Sequence, residues 1–138
     1  MKRIILDTNV YIDWLNSKLH EGLVLGPGYV RLLSSIVLTE LWVGATTPRA
    51  RRAVASMERA YGAAQRLAHP SASALGVAGR ALRDLRTRGR EIRQASLVND
   101  VLIAVTARNV GAEIHTRNGR DFSAIQDVIG FDFVEVNA

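Results

Sequence analysis

The chain contains no cysteine. Disulfides, thiolate metal sites and cysteine nucleophiles are therefore excluded, and any metal must be held by oxygen or by one of three histidines. No apolar run reaches the length of a membrane span. After Met1-Lys2-Arg3 only Ile4-Ile5-Leu6 precede the first acid, too little for the apolar stretch of a signal peptide. The expectation is a cytoplasmic protein without a membrane partner. Lysine is also scarce, at two residues against sixteen arginines. Guanidinium forks match phosphate oxygens, so the bias suits a nucleic acid or an acidic protein partner. A GC-rich genome and a solvated helical face explain the same count equally well.

What is present is ordinary for a globular protein. The 138 residues are 48% hydrophobic and 22% charged, which excludes disorder and low-complexity classes. A chain of this length supports one core, so residues 1–138 read as a single domain. The net charge of +5 is unevenly spread. Arg49–Arg93 holds eleven arginines against the acids Glu58, Asp84 and Glu91, whereas the remainder is net acidic.

Hydrophobic patterning alternates between short apolar runs and helical stretches. Lys2–Leu6 reads as a buried strand that ends in cap chemistry at Asp7-Thr8-Asn9. A helix over Val10–Leu19 and a glycine-rich turn over Gly22–Gly28 follow. Tyr29–Leu33 reads as a strand, and Ser34 or Ser35 caps a helix over Ile36–Ala45. Arg49–Arg66 is helical, with Val54, Met57 and Tyr61 on one stripe, and a short extended piece lies near Arg66–Ala68. The next helix carries an apolar seam of Leu75, Ala78, Leu82 and Leu85 and stops at Gly89. Ser96 or Asn99 caps a helix running to about Asn109, closed by Gly111. Ala112–Thr116 is a strand, Asp121–Ile129 a helix and Phe131–Val136 a last strand. This alternation predicts an α/β fold, a doubly wound parallel sheet of about four to five strands with helices on both faces.

In such sheets sites lie beyond the carboxyl ends of the strands, where several acids of this chain fall. Asp7 follows the first strand, and Asp121 lies five residues past Thr116. Glu40 sits in the helix after the second strand, and Asp100 near the start of the helix before Ala112–Thr116. Asp7, Glu40 and Asp100 are flanked by strongly apolar residues, where a carboxylate is costly unless paired or metal-bound. Four carboxylates at one sheet edge call for a hard cation, Mg²⁺ or Mn²⁺. Singly, each acid has a plainer role: a helix cap for Asp7 and Asp121, an exposed helical face for Glu40, a macrodipole partner for Asp100.

Four segments together resemble the motifs of the PIN domain family. They are Ile4-Ile5-Leu6-Asp7-Thr8-Asn9-Val10-Tyr11-Ile12-Asp13, Ser34 to Gly44 around Glu40, Asn99-Asp100-Val101-Leu102-Ile103-Ala104-Val105-Thr106-Ala107, and Thr116-Arg117-Asn118-Gly119-Arg120-Asp121-Phe122. Order and spacing agree over nearly the whole chain, and at this length it is most similar to VapC-type toxins of bacterial toxin–antitoxin pairs. The resemblance implies a metal-dependent endoribonuclease. Asp7, Glu40 and Asp100 carry over as metal-binding acids and Asp121 as the fourth. Thr8 and Thr116 match supporting hydroxyls, and Asn9 a residue that orients Asp7. Asn118 stands where some relatives have an acid, which assigns it to a metal-bound water. Asp13 reads as a surface or supporting residue. Mg²⁺, with Mn²⁺ as a substitute, would activate a water and leave 5′-phosphate and 3′-hydroxyl ends.

Arg117 and Arg120 flank the fourth motif and are the candidate RNA-phosphate contacts, with solvated surface as the equal alternative. His115 reads as structural, and Trp14, Trp42 and Tyr61 as packing residues rather than base-stacking platforms. The resemblance further implies a VapB-like antitoxin that lays a segment across the toxin, and a homodimer. The Leu75–Leu85 seam and the Val54-Met57-Tyr61 stripe are the surfaces open to such partners or to the core. Competing readings are a PIN-fold protein that binds RNA or its partner without useful catalysis, a PIN-type nuclease outside a toxin–antitoxin pair, and a DNA nuclease. An aspartyl phosphatase is disfavoured because Asn9 stands where its second Asp belongs.

Overall fold

The computed structural model describes residues 1–90 and 95–137. Glu91 and Arg93, counted above in the basic stretch, lie outside the described residues. Among the described residues five strands form one sheet: β1 (Lys2–Leu6), β2 (Tyr29–Ser34), β3 (Leu67–Ala68), β4 (Glu113–Thr116) and β5 (Phe133–Glu135). Every pairing is parallel and the order is β3-β2-β1-β4-β5.

β1 is central because its sequence is apolar on both faces. Neighbouring strand residues point to opposite sides of a sheet. Ile4, Ile5 and Leu6 are all at most 1% exposed, so helices cover both faces. Ile5 sits between Leu32 of β2 and Ile114 of β4. The chain runs outward from β1 through β2 to β3, then returns to place β4 on the other side of β1. The winding therefore reverses between β1 and β4, and a crevice opens beyond their carboxyl ends.

The helices are α1 (Thr8–Ser17), α2 (Glu21–Leu25), α3 (Ser35–Gly44), α4 (Pro48–Ala63), α5 (Ala72–Thr87), α6 (Ala95–Val110) and α7 (Gly119–Gln126). α3 is capped by buried Ser34, whose Oγ accepts from the amides of Ile36 and Val37 at 3.1 and 3.3 Å. α6 is almost wholly internal, with Val101, Ile103, Ala104, Val105 and Ala107 fully buried.

Several sequence expectations need correcting. The turn expected over Gly22–Gly28 contains α2, anchored by buried Val24. The seam of α5 is Ala74, Ala78, Ala81 and Leu85, so Leu75 points out and is 53% exposed. Small residues on that stripe let α5 lie close against α6. Ser96 and Asn99 are inside α6 rather than capping it. α7 starts at Gly119, which puts Asp121 in its first turn instead of at the cap. Val54 is buried, and Met57 and Tyr61 pack on the core, so the α4 stripe faces inward. No helix of the described residues is long and apolar enough to cross a membrane.

Candidate functional site

Asp7 leaves β1 in extended conformation and becomes the N-cap of α1. It is 4% exposed. Its Oδ1 accepts from the Thr8 amide at 2.8 Å and its Oδ2 from the Thr116 hydroxyl at 2.7 Å. The cap role and the site role thus coexist on one carboxylate. Burial raises its pKa above the ordinary range, against the opposing pull of those two donors.

Thr8 binds a second acid. Its hydroxyl donates to Glu40 Oε1 at 2.6 Å. Glu40, half-buried on α3, accepts on Oε2 from Asn99 Nδ2 of α6 at 3.3 Å. One residue along α6, Asp100 is buried, and its Oδ2 accepts from Asn118 Nδ2 at 3.2 Å. The same Nδ2 donates to Asp121 Oδ2 at 3.0 Å. The Asn118 backbone amide in turn donates to Thr116 Oγ1 at 2.9 Å. One continuous network therefore runs from Glu40 through Thr8, Asp7, Thr116 and Asn118 to Asp100 and Asp121. Five separate elements, α1, α3, α6, β4 and α7, supply it, meeting beyond β1 and β4.

The electrostatics match this geometry. Burial, followed by the charges of Asp7, Glu40 and Asp121, pushes the Asp100 carboxyl up to about 8. Asp100 lies in the field of the other three acids, and Asp7 in that of Glu40. Their oxygens are nevertheless spaced by the threonine and asparagine donors between them. Among the described residues no three acidic or histidine side chains are gathered as a ready-made metal-ligand set.

The supporting residues fall partly as the motifs suggest. Asn9 Oδ1 accepts from the Arg117 amide at 3.2 Å, so it fixes the β4–α7 loop rather than Asp7 directly. The Arg117 guanidinium donates to Asp13 at 3.0 Å, and the other Asp13 oxygen lies 3.0 Å from His20 Nε2. Arg120 is exposed in the first turn of α7. His115 is buried and bonded to Glu113, hence structural. Two residues at the network escaped the sequence reading. Asn99 reads from sequence as a cap, although its place beside Asp100 was a signal. Arg90, whose Nη1 lies 3.4 Å from Asp121 Oδ1, carried no signal beyond belonging to the basic stretch.

A groove of about 580 Å³ adjoins the network, lined by Ile12, Trp14, Leu15, Leu41 and Val54, with Glu40 on its wall. Trp14 Nε1 is buried and has no hydrogen-bond partner among the described residues.

The PIN domain family model matches residues 4–128. The chain belongs to the PIN domain family. All four acids of this PIN domain fall within the matched stretch. No match is found among the curated proteins. Among solved structures, the PIN domain is similar to VapBC2 from Rickettsia felis bound to a DNA fragment from their promoter, with 21% identity and a TM-score of 0.72, covering 98% of this chain and 99% of that one. It is similar to DNA-bound VapBC from Salmonella typhimurium at 26% identity and a TM-score of 0.70, covering 98% of both chains. VapBC-5 from Mycobacterium tuberculosis, a member of the VapBC family of toxin-antitoxin systems, gives 23% identity and a TM-score of 0.66, covering 99% and 100%.

Proposed function

We propose that this PIN domain is a divalent-cation-dependent endoribonuclease and the toxin of a toxin–antitoxin pair. The observation that carries the reading is the network of four acids at the switch point, two of them buried, where burial and then the charges of Asp7, Glu40 and Asp121 push Asp100 up to about 8. Acids packed this closely call for a cation before all of them can ionise.

Asp7, Glu40 and Asp100 would hold Mg²⁺, or Mn²⁺ in its place, with Asp121 as the fourth acid. The donor set is all oxygen, which suits a hard ion. Mg²⁺ commonly keeps several waters and takes only one or two carboxylates, so spaced acids fit it better than a closed protein cage would. Bound there, the ion would supply charge compensation to a phosphodiester and acidify a water. Thr8, Thr116, Asn99 and Asn118 aim the carboxylate oxygens. No histidine competes as a general base: His115 is committed to Glu113, His20 to Asp13, and His69 is an exposed residue far along the chain beside β3.

The antitoxin segment would occupy the α1–α3–α4 groove. Its apolar walls suit a partner helix or strand. The groove takes in Val54 of the α4 stripe, whereas Met57, Tyr61 and the Ala74-Ala78-Ala81-Leu85 seam of α5 pack on the core. Solved relatives include the VapBC toxin-antitoxin family member named above, which supports an antitoxin partner. A homodimer is part of the same proposal.

The spacing of the acids favours one competing reading, a PIN-fold binding protein without catalysis. Purified protein, RNA and Mg²⁺ separate the two. Wild type is expected to cut RNA, chelation to stop it, and Asp7→Asn and Asp100→Asn to abolish it with the fold retained by circular dichroism. Asn99→Ala, which only releases Glu40, is expected to lower the rate about 10- to 100-fold. Equal inertness of wild type and variants would leave the binding reading.

A further inference from the structure

The basic middle of the chain delivers one guanidinium to the acid network, and the backbone is built to do so. α5 ends in a left-handed turn at Gly89, with φ of +88°. The Gly89 amide donates to Arg86 O at 3.0 Å and the Arg90 amide to Leu85 O at 3.0 Å. This paired closure is the Schellman motif, which fixes the direction of the residue after the glycine. That position commonly makes an apolar contact back to the helix. Here it carries Arg90, which turns instead to the site and places Nη1 3.4 Å from Asp121 Oδ1. Among the described residues no other basic side chain is hydrogen-bonded to any of the four acids.

We infer that Arg90 is a substrate-binding residue that takes a backbone phosphate of single-stranded RNA at the acid network. The inference rests on RNA being the substrate proposed above. In the free protein Arg90 is held on Asp121, with both side chains about one-third exposed. A contact this long and this open holds weakly. A phosphate offers the guanidinium fork a bidentate partner, which a single Nη1 contact to Asp121 does not. Arg90 therefore passes from Asp121 to the RNA as the strand enters, and Asp121 remains tied to Asn118. Arg117, by contrast, is engaged by Asp13 and its loop is fixed by Asn9.

The test uses full-length protein in the Asp7→Asn background, so that RNA is bound and not consumed. Fluorescence anisotropy of a labelled single-stranded RNA oligonucleotide is followed over a range of KCl concentrations with Mg²⁺ present. Arg90→Ala is expected to weaken binding roughly tenfold. It is also expected to reduce the slope of log affinity against log salt by about 0.7, the loss of one phosphate contact on a single strand. Arg108→Ala, an exposed arginine at the far end of α6, controls for net charge and is expected to change neither. Unchanged affinity in Arg90→Ala would overturn the inference. Weaker binding with an unchanged salt slope would overturn it too, because Arg90 would then serve only to hold Asp121. The proposed nuclease activity fails separately, if Asp7-containing protein binds RNA and cuts none.

Discussion

Asp100 keeps its proton to about pH 8 because it is buried and three other carboxylates press on it. In the unfolded chain the same group ionises near 3.8. Between those values the folded state holds a proton that the unfolded state has lost, so stability falls as pH rises through that window and levels off above it. Without divalent ions, the melting temperature is expected to drop between pH 5.5 and 8, and Asp100→Asn to flatten that drop. With Mg²⁺ the trend is expected to reverse, because the ion binds the deprotonated form. Asn118→Asp would place a fifth carboxylate between Asp100 and Asp121 and remove the shared amide donor. Its melting temperature is expected to fall by several degrees without metal and to recover when Mg²⁺ is added. A metal-independent fall of equal size would argue that Asn118 is purely structural. At this scale the burial of Asp7 and Asp100 was legible in the sequence, since a carboxylate among Ile, Leu and Val is anomalous wherever it stands. Asn99 and Arg90 were not. Asparagine and arginine are common in helices and at helix ends, and only the fold shows which of them face an acid.

The elements hold those residues by ordinary local devices. α3 carries Glu40 into the site from a buried cap, and Ser34 satisfies two of its first amides. Ser34→Ala is expected to destabilise the protein by about 1–2 kcal/mol in urea unfolding and to lower RNA cleavage through Glu40. A stability loss with full activity would separate the cap from the site. The central strand was readable because Ile4-Ile5-Leu6 is an unbroken apolar run that ends at Asp7. The helices were less so at their ends. α2 was hidden by three glycines and a proline, although Val24 gives it a buried anchor. The α5 stripe was misassigned because leucine draws the eye, whereas the close approach to α6 selects alanine. The residues that would cap α6 precede Ala95 and lie outside the described residues.

For the whole molecule, strand order turns a scattered sequence into a site. Asp7 and Asp121 are more than a hundred residues apart, and the placement of β4 beside β1 joins them. The alternation of strands and helices announced a parallel sheet and hence a crevice, but not which strands flank it. The charge asymmetry follows the same division. The acids gather at the crevice, and most of the described arginines of the basic stretch are exposed on α4 and α5. Replacing Arg80, Arg83 and Arg86 together by Glu is expected to slow RNA cleavage most at low salt and to flatten its salt dependence. An unchanged salt profile would reduce that surface to solvation.

The central claim concerns chemistry at the acid network, and the ends of the cut RNA report on it most directly. Mapping the products of Mg²⁺-dependent cleavage by ligation and phosphatase sensitivity is expected to find 5′-phosphate and 3′-hydroxyl termini, the outcome of water attack at an acidic metal site. Fragments bearing 2′,3′-cyclic phosphates and 5′-hydroxyls, formed equally well in chelator, would contradict it.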